Sequence, residues 1–205
     1  MEDLFPQKEN VDLTKLKITE EGSYSITRRR DAERIMNVLR NKFNNISSLH
    51  ITDSTACIGG DTINFALHFK HVDSIELDKN NFDALKNNVE TFHLKNVELH
   101  NGDSTKIFDW YTDVLYVDPP WGGKDYKSQK NIDLFLSKTI RIDKWLDEIL
   151  RRKNRPLFII LKLPSNYRFT ALNYLPNVEY INPFQIRSYV LVIITVHPYI
   201  KNGLN

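Results

Sequence analysis

The sequence predicts an α/β protein with one doubly wound, mostly parallel sheet of seven strands. Apolar strand-like segments alternate with amphipathic helical segments along most of the 205 residues, an order typical of a parallel sheet covered on both faces. The last two strand segments, Val178–Ile181 and Tyr189–Val196, are separated only by a short loop at Asn182–Ser188. This spacing predicts an antiparallel hairpin that closes the sheet.

The composition excludes several classes of protein. Hydrophobic residues make up 41% and charged residues 26%, as in ordinary globular domains, and no apolar run approaches the ~20 residues that span a bilayer. The N-terminus lacks the apolar core of a signal peptide. The single cysteine, Cys57, excludes an internal disulfide framework and predicts no metal site. We therefore expect an intracellular protein of the nucleus or cytoplasm, with no membrane partner, and a monomer by default.

The chain is expected to contain one domain with short extensions. Residues 1–22 are polar, lack a strong period and predict a loosely structured arm with a short helix near Leu13–Lys17. Such an arm is either a disordered tail or a lid over the site. The domain is predicted over residues 23–198, and residues 199–205 are expected to be a tail.

The remaining elements follow from hydrophobic periodicity. Helices are predicted at Asp31–Phe43, with Thr27 as its cap, and around Ile63–Lys70, Lys79–Phe92 and Ile142–Leu150. Strands are predicted at Leu49–Asp53, Val72–Asp78, Val97–His100, Asp113–Val117 and Leu157–Leu163.

The loop after the first strand predicts a cofactor site. Asp53 is followed by a short loop with the paired glycines Gly59 and Gly60, whose spacing matches neither a dinucleotide-binding loop nor a P-loop. An acid followed by paired glycines suits a methionyl carboxylate and amine better than a phosphate. An ordinary strand-to-helix turn explains the same residues.

Three further acids extend this prediction to a nucleoside. The second strand ends in the acids Glu76 and Asp78, and Glu76 lies 17 residues after Gly59, close to the ~20-residue spacing of an acid that binds both ribose hydroxyls. Asp78 is a weaker candidate for this role. Asp103 follows the third strand and either accepts a hydrogen bond from an adenine amine or forms part of a turn.

The residues Asp118-Pro119-Pro120-Trp121 follow the fourth strand and predict a catalytic loop. Proline lacks a backbone donor and has a fixed φ, so the chain leaves the sheet here as a stiff extended loop. This loop presents a carboxylate, carbonyl groups and one large aromatic face, which suits the binding of a flat base by its exocyclic amine. It resembles motif IV of amino-methyltransferases that use S-adenosylmethionine. Asp53, Glu76, Asp103 and Asp118 are predicted to line one rim of the sheet.

Charge is distributed unevenly along the chain, although the net charge is only +2. Residues 73–118 contain 4 Lys against 10 acids, whereas residues 124–168 contain 12 Lys and Arg against 5 acids. A basic segment directly after the Pro-Pro-Trp loop favours a polyanionic substrate there. A solvated charged helix face is the alternative.

Two strings carry a more specific resemblance. Residues 53–66 begin Asp-Ser-Thr-Ala-Cys-Ile-Gly-Gly-Asp-Thr, and residues 118–126 read Asp-Pro-Pro-Trp-Gly-Gly-Lys-Asp-Tyr. Together they resemble the trimethylguanosine synthase family of class I methyltransferases, from about Tyr24 to Val196. The resemblance implies a Rossmann-like fold and methyl transfer from S-adenosylmethionine to N2 of a 7-methylguanosine RNA cap, with S-adenosylhomocysteine as the product.

The resemblance also assigns roles to individual positions. It implies cofactor binding by Thr27, Asp53, Thr55, Gly59, Asp61, Thr62, Glu76, Asp103 and Asp118. It implies catalysis by Asp118, Pro119 and Trp121, with Trp121 stacked on the methylated guanine. Arg28, Lys124 and Tyr126 are implied to bind substrate, and Lys15, Lys17, Lys127 and Lys162 are further candidates for the cap triphosphate. The family often has Ser in place of Asp118 and Pro in place of Arg28.

Two alternatives to a cap methyltransferase remain at this point. One is an amino-methyltransferase acting on adenine N6 or guanine N2 within RNA or DNA, and the other is a non-catalytic cap-binding module. Capped RNA or a cap analogue is the expected partner. A short catalytic domain of this kind also fits a viral protein that acts in the host cell.

Overall fold

The computed structural model describes residues 3–199, apart from the side chain of Lys124, and it has the predicted α/β architecture. Its main sheet has seven strands and is mostly parallel, with antiparallel strands at the C-terminal end of the chain. The chain divides into two compact units, Met1–Phe108 and Asp109–Asn205, which are described separately below.

Within the described residues, the first unit contains a three-stranded parallel part of the sheet and five α-helices. Its strands lie in the order β3-β2-β1, with β2 parallel to both neighbours. The strands are β1 (His50–Asp53), β2 (His71–Glu76) and β3 (Val97–Asn101). The helices are α1 (Glu20–Ser25), α2 (Arg29–Lys42), α3 (Gly60–Ala66), α4 (Lys79–Thr91) and α5 (Ser104–Ile107). Short 3-10 helices occur at Leu13–Lys15 and Ile46–Ser48.

The second unit contains the other four strands of the main sheet, in the order β4-β7-β9-β8, and one α-helix within the described residues. These strands are β4 (Val114–Val117), β7 (Phe158–Pro164), β8 (Val178–Ile186) and β9 (Tyr189–Val196). The helix is α6 (Ile142–Arg151), and 3-10 helices occur at Lys124–Ser128 and Phe169–Tyr174. A separate small ribbon pairs β5 (Phe135–Leu136) with β6 (Ile140–Arg141).

The predicted C-terminal hairpin is confirmed, but β8 is longer than expected. It continues to Ile186, so the predicted loop at Asn182–Ser188 shrinks to a turn at Arg187 and Ser188. Pro183 lies within β8 although proline lacks a backbone donor. It is tolerated because β8 is the last strand in the order and has one side without a neighbouring strand.

Helix α2 begins differently from the prediction. Arg28 is its N-cap residue and has no side-chain capping hydrogen bond. Thr27 is buried, and its hydroxyl donates to Oδ2 of Asp61 at 2.6 Å. The prediction of Thr27 as the helix cap is therefore wrong, because the hydroxyl is taken by a carboxylate from the start of α3.

The N-terminal arm packs closely on α4, which differs from the loosely structured arm that the sequence predicted. Phe5 is fully buried and belongs to one apolar cluster with Leu85, Val89 and Phe92. The amide of Asn88 accepts from the backbone of Lys17 at 2.7 Å and donates to its carbonyl at 2.9 Å. Function as a lid and the predicted domain limits remain predictions, and residues 200–205 of the predicted tail lie outside the described residues.

Candidate active site

The strand-end acid Asp53 anchors the loop that precedes α3. It is the last residue of β1 and is only 1% exposed. The hydroxyl of Thr62 donates to its Oδ2 at 2.7 Å, and the Thr62 oxygen lies 2.9 Å from the hydroxyl oxygen of Ser74. The amide of Thr55 approaches Oδ1 at 3.4 Å. Asp53 and Thr62, both predicted to contact a cofactor, thus contact each other, and Thr62 is completely buried.

The paired glycines are required by the protein's own packing. Gly59 has φ +94°, and a Cβ atom there would lie 2.7 Å from Cδ1 of Leu85. A Cβ atom at Gly60 would lie 2.5 Å from Cγ1 of Ile26. These clashes explain the glycines without a ligand, so the pair indicates a tightly packed turn, which is one of the two interpretations that the sequence left open.

Glu76 ends β2 and is held by two backbone amides. The amide of Cys57 donates to Oε2 and that of Asp78 donates to Oε1, both at 2.7 Å. The residue is 9% exposed, and burial raises the pKa of its carboxyl above the ordinary value even though both hydrogen bonds favour the charged form. Each oxygen retains acceptor capacity, so the carboxylate can still accept from two hydroxyls of a ribose.

Two other acids that the sequence offered as cofactor ligands, Asp78 and Asp61, have partners within the protein. The side chain of Asp78 accepts from the amide of Asn81 and caps α4, which accounts for this acid without a ligand. Asp61 accepts from Thr27, so these two predicted cofactor residues also contact each other, and both are buried.

Asp103 caps helix α5. Its Oδ1 accepts from the amide of Thr105 at 3.0 Å and from the hydroxyl of the same residue at 2.7 Å. The adjacent Gly102 amide donates to the carbonyl of Glu76 at 2.9 Å, which ties this turn to the end of β2. Asp103 and Glu76 therefore lie on neighbouring strand ends of the first unit, as the sequence predicted.

In the second unit, Asp118 is paired with a buried lysine. Nζ of Lys162 lies 2.6 Å from Oδ2 of Asp118, and the two side chains are 8% and 16% exposed, respectively. Lys162 had been a candidate for the cap triphosphate, but its ammonium lies instead at the carboxylate of the predicted catalytic loop. The pair thus combines a cation and an anion at the end of β4, with no net charge between them.

Trp121 belongs to an aromatic cluster that we define as Trp121, Tyr126 and Tyr189. The Trp121 ring lies 5.3 Å from the ring of Tyr126 and 6.3 Å from that of Tyr189. Nζ of Lys162 lies 5.6 Å from the Trp121 centroid and 5.4 Å from that of Tyr189, within the range of cation–π contacts. Nε1 of Trp121 is buried and has no hydrogen-bond partner among residues 3–199.

The loop that carries Tyr126 is fixed by one amide side chain. Asn166 donates to the carbonyl of Tyr126 at 2.6 Å and to that of Gln129 at 2.8 Å. Gly122 and Gly123 have φ +91° and +80°, so the chain turns here through a backbone conformation that favours glycine. Pro119 is buried at the start of this segment.

The predicted phosphate-binding residues have different surroundings. Arg28 is exposed at the start of α2, and Lys15 lies 4.0 Å from Asp12 in the arm. Nζ of Lys127 lies 5.9 Å from the Tyr126 centroid. Several basic residues of the segment 124–168 pair with its own acids, namely Arg141 with Asp143, Arg151 with Asp147 and Arg168 with Asp133.

The sequence did not assign a role at the Asp-Pro-Pro-Trp loop to Lys162 or Tyr189. For Lys162 a signal was present, because it interrupts the apolar run Leu157–Leu163, and a charge in a buried strand requires a partner. Tyr189 offered no such signal. It begins β9 opposite Pro164, and only the pairing of β7 with β9 brings it near Lys162.

Comparison with known proteins identifies the family. A model of the RNA cap guanine-N2 methyltransferase family matches residues 49–193. The chain belongs to this family. It is also 31% identical over 219 aligned residues to the uncharacterized protein L320 of Acanthamoeba polyphaga mimivirus, covering 93% of this chain and 83% of that protein. The family resemblance noted in the sequence is thereby confirmed, and the chain is a methyltransferase of the class that uses S-adenosylmethionine.

Solved structures confirm the class I methyltransferase fold. The human methyltransferase 10 domain containing protein superposes with a TM-score of 0.65 at 13% identity, covering 88% of this chain and 89% of that one. Precorrin-6y C5,15-methyltransferase of Geobacter metallireducens gives 0.61 at 13% identity, with coverages of 91% and 96%. In the described part of the chain, no helix has the length and apolar character needed to cross a membrane.

Proposed function

We propose that this methyltransferase acts on the exocyclic N2 of the 7-methylguanosine RNA cap and produces 2,7-dimethylguanosine, with 2,2,7-trimethylguanosine after a second transfer. The observation that carries this proposal is the environment of Trp121. Its ring lies in an aromatic cluster beside an ammonium whose charge is already balanced by Asp118. The family to which the chain belongs supports the same substrate.

The charge of the base explains why this environment fits. 7-Methylguanine is cationic, and a desolvated cation over a Trp face gains about 2 kcal/mol or more. A bare ammonium beside the ring would repel such a base. The 2.6 Å contact between Lys162 and Asp118 removes most of this repulsion, since the pair has no net charge. The absence of a hydrogen bond at Trp121 Nε1 within the described residues also means that no such bond opposes a reorientation of the ring around a ligand.

The first unit contains residues that fit the cofactor. S-adenosylmethionine supplies the methyl group as a positively charged sulfonium and leaves as S-adenosylhomocysteine. Glu76 binds the ribose hydroxyls through the acceptor capacity that its two backbone hydrogen bonds leave open. Asp103 binds the adenine amine, and Asp53, Thr55 and Thr62 fix the loop that receives the methionyl part.

Rate enhancement in this proposal comes from orientation of the amine. The guanine amine is a weak nucleophile because its lone pair is delocalised into the ring. Asp118 and the carbonyl of Pro119 accept the two amine hydrogens and direct the lone pair toward the methyl group, and one proton then leaves to solvent. Positioning of this kind can supply most of the barrier reduction in a direct transfer.

Transfer of a labelled methyl group tests the substrate. The full chain is incubated with labelled S-adenosylmethionine and either 7-methyl-GTP, GTP or a short adenine-containing RNA. We expect transfer to 7-methyl-GTP and at least about 30-fold less to GTP, which corresponds to the loss of about 2 kcal/mol of cation–π energy. Trp121→Ala should reduce kcat/KM for 7-methyl-GTP by a similar factor.

A matched control is Tyr174→Ala, because Tyr174 is an aromatic residue of the same unit that is 85% exposed. It should leave the activity unchanged. Transfer to the RNA alone would refute the cap substrate and leave an amino-methyltransferase acting within nucleic acid. Binding of 7-methyl-GTP without any transfer to it would instead indicate a cap-binding module.

A further inference from the structure

Three histidines of the first unit surround one buried carboxylate that has no role in the proposed reaction. Asp73 lies in β2, and its side chain is 6% exposed. Nε2 of His50 contacts its Oδ2, Nε2 of His71 lies 3.6 Å from the same oxygen, and Nε2 of His100 lies 2.7 Å from Oδ1. Half of the six histidines of the chain therefore meet at one acid.

The parallel register of the sheet produces this arrangement. His50 is opposite His71 at the start of β1 and β2, and Asp73 follows His71 by two residues, so both side chains project from the same face. Glu98 is opposite Asp73 on β3, and His100 follows it by two residues on that face. The sequence carried a signal of this cluster in the two spacings His71-x-Asp73 and Glu98-x-His100, but neither reads as a metal motif alone.

We propose that His50, His71 and Asp73 bind a divalent transition-metal ion, of which zinc is the first to be tested. Imidazole nitrogens and a carboxylate oxygen are common zinc ligands, with metal–ligand distances of about 2.0–2.2 Å. Such distances require tetrahedral ligand atoms to lie roughly 3.3 Å apart. One ligand atom from each of the three residues lies within 4.8 Å of the others, and His71 is already 3.6 Å from Asp73.

The surroundings of these three residues suit a metal as well as a hydrogen-bond network. Histidine ligands and ligating carboxylates are usually oriented by an outer partner, and His100 occupies that place at the second oxygen of Asp73. The side chains of His50 and His71 are 28% and 36% exposed, which gives an ion access from solvent.

The location of the cluster indicates a stabilising role. His50 and His71 are the first residues of β1 and β2, whereas the acids Asp53 and Glu76 are the last residues of the same strands. A metal here would tie together the starts of two strands, at the end of the sheet opposite to the predicted cofactor residues. We therefore expect the ion to raise thermal stability and to leave methyl transfer unchanged.

The test uses the full chain without a histidine tag, stripped with a chelator that is then removed. Zinc is titrated against a chromophoric competitor, and Co²⁺ is added in parallel as a spectroscopic probe. We expect one ion per chain and a rise in melting temperature. Asp73→Asn, His50→Asn and His71→Asn should each weaken binding by at least about 100-fold, and His100→Asn by about 10- to 100-fold as an outer partner.

The matched control is His93→Asn. His93 is exposed and has φ +54°, a conformation that asparagine also accepts, so the variant should fold and bind zinc like the wild type. If Asp73→Asn does not fold, zinc binding by His71→Asn tests the proposal instead, because His71 is the most exposed of the three ligands. Absence of stoichiometric zinc binding would overturn the proposal. Equal loss in His71→Asn and His93→Asn, or a thiolate–cobalt absorption band that implicates Cys57, would also overturn it.

Discussion

The acids of the first unit and the acid of the Asp-Pro-Pro-Trp loop are held in different ways. Glu76 accepts from two backbone amides, and Asp53 accepts from a hydroxyl and a backbone amide. Asp118, by contrast, accepts from the side chain of Lys162. The partners of Glu76 and Asp53 lie in the loops after β1 and β2 and at the start of α3, whereas Lys162 reaches Asp118 through a long side chain with several rotatable bonds.

This difference separates a preorganised site from an adaptable one. Backbone donors keep their positions when a ligand binds, so we expect the acids of the first unit to be preorganised for a cofactor. The Asp118–Lys162 pair includes one long side chain, and the ring of Trp121 contacts other rings, so we expect both to rearrange more readily. We therefore expect recognition of the substrate, the methylated base, to depend on the second unit, and recognition of the cofactor to depend on the first.

The strongest test of this contrast is to remove the carboxylate of Asp118. Asp118→Ala should lower the free energy of unfolding by about 3 kcal/mol, because the buried ammonium of Lys162 loses its counter-charge. Methyl transfer should also fall strongly. The double variant Asp118→Ala/Lys162→Met should recover the stability to within about 1 kcal/mol but not the activity. Urea unfolding measures the first effect and labelled methyl transfer the second.

An exposed ion pair of the same unit serves as the control. Asp147 pairs with Arg151, whose side chain is 65% exposed, so Asp147→Ala should cost less than about 1 kcal/mol. Equal losses for Asp118→Ala and Asp147→Ala would mean that the Asp118–Lys162 pair behaves as a surface pair. Full activity of the double variant would remove Asp118 from the proposed mechanism.

The next largest effect is expected from Glu76→Gln. The amide keeps the size but replaces one acceptor oxygen by a donor, so either the Cys57 or the Asp78 amide loses its partner. Stability should fall by about 1–3 kcal/mol for a buried donor without a partner. The KM for S-adenosylmethionine should rise about 10-fold or more, with a smaller change in kcat, since one charged hydrogen bond to the ribose is worth about 1.5–3 kcal/mol.

The raised pKa of Glu76 predicts how the stability effect of this substitution changes with pH. Burial makes the folded protein hold this proton at a higher pH than the unfolded chain, whose carboxyl has the ordinary value of 4.5. Its contribution to stability is therefore present below that value and is lost as the pH rises through the folded pKa. The difference in unfolding free energy between wild type and Glu76→Gln should follow this course. A difference in unfolding free energy that stays constant as the pH rises from 4.5 through the folded pKa would contradict a raised pKa for Glu76.

The sequence predicted most of what depends on strand ends. Asp53 ends β1 as expected, and Glu76 ends β2 two residues before the predicted end at Asp78, because periodicity locates a strand better than its last residue. Contacts that depend on side chains meeting across the fold were not predictable. Thr27 was expected to cap a helix but binds Asp61, and Lys162 was expected at a phosphate but binds Asp118.

The same limit explains the histidine cluster and the N-terminal arm. His50, His71 and His100 are far apart in sequence, and only the exact pairing of β1, β2 and β3 brings their side chains to Asp73. The arm has no clear helical period because only single residues such as Phe5 reach the core, while its polar backbone is bound by Asn88. Local pattern cannot reveal a contact of this kind.

The smallest effect is expected at Asp103, where it distinguishes a residue that only caps a helix from one that also binds the cofactor. Asparagine caps helices about as well as aspartate, so Asp103→Asn should change the free energy of unfolding by only a few tenths of a kcal/mol. If Asp103 also accepts from the adenine amine, the loss of its charge should weaken binding of S-adenosylhomocysteine severalfold, as calorimetry would measure. Asp78→Asn is the matched control, because the Asp78 side chain also caps a helix, α4, by accepting from a backbone amide of its first turn. Equal affinities in the two variants would leave Asp103 as a helix cap alone and restrict cofactor recognition to Glu76 and the loop after β1.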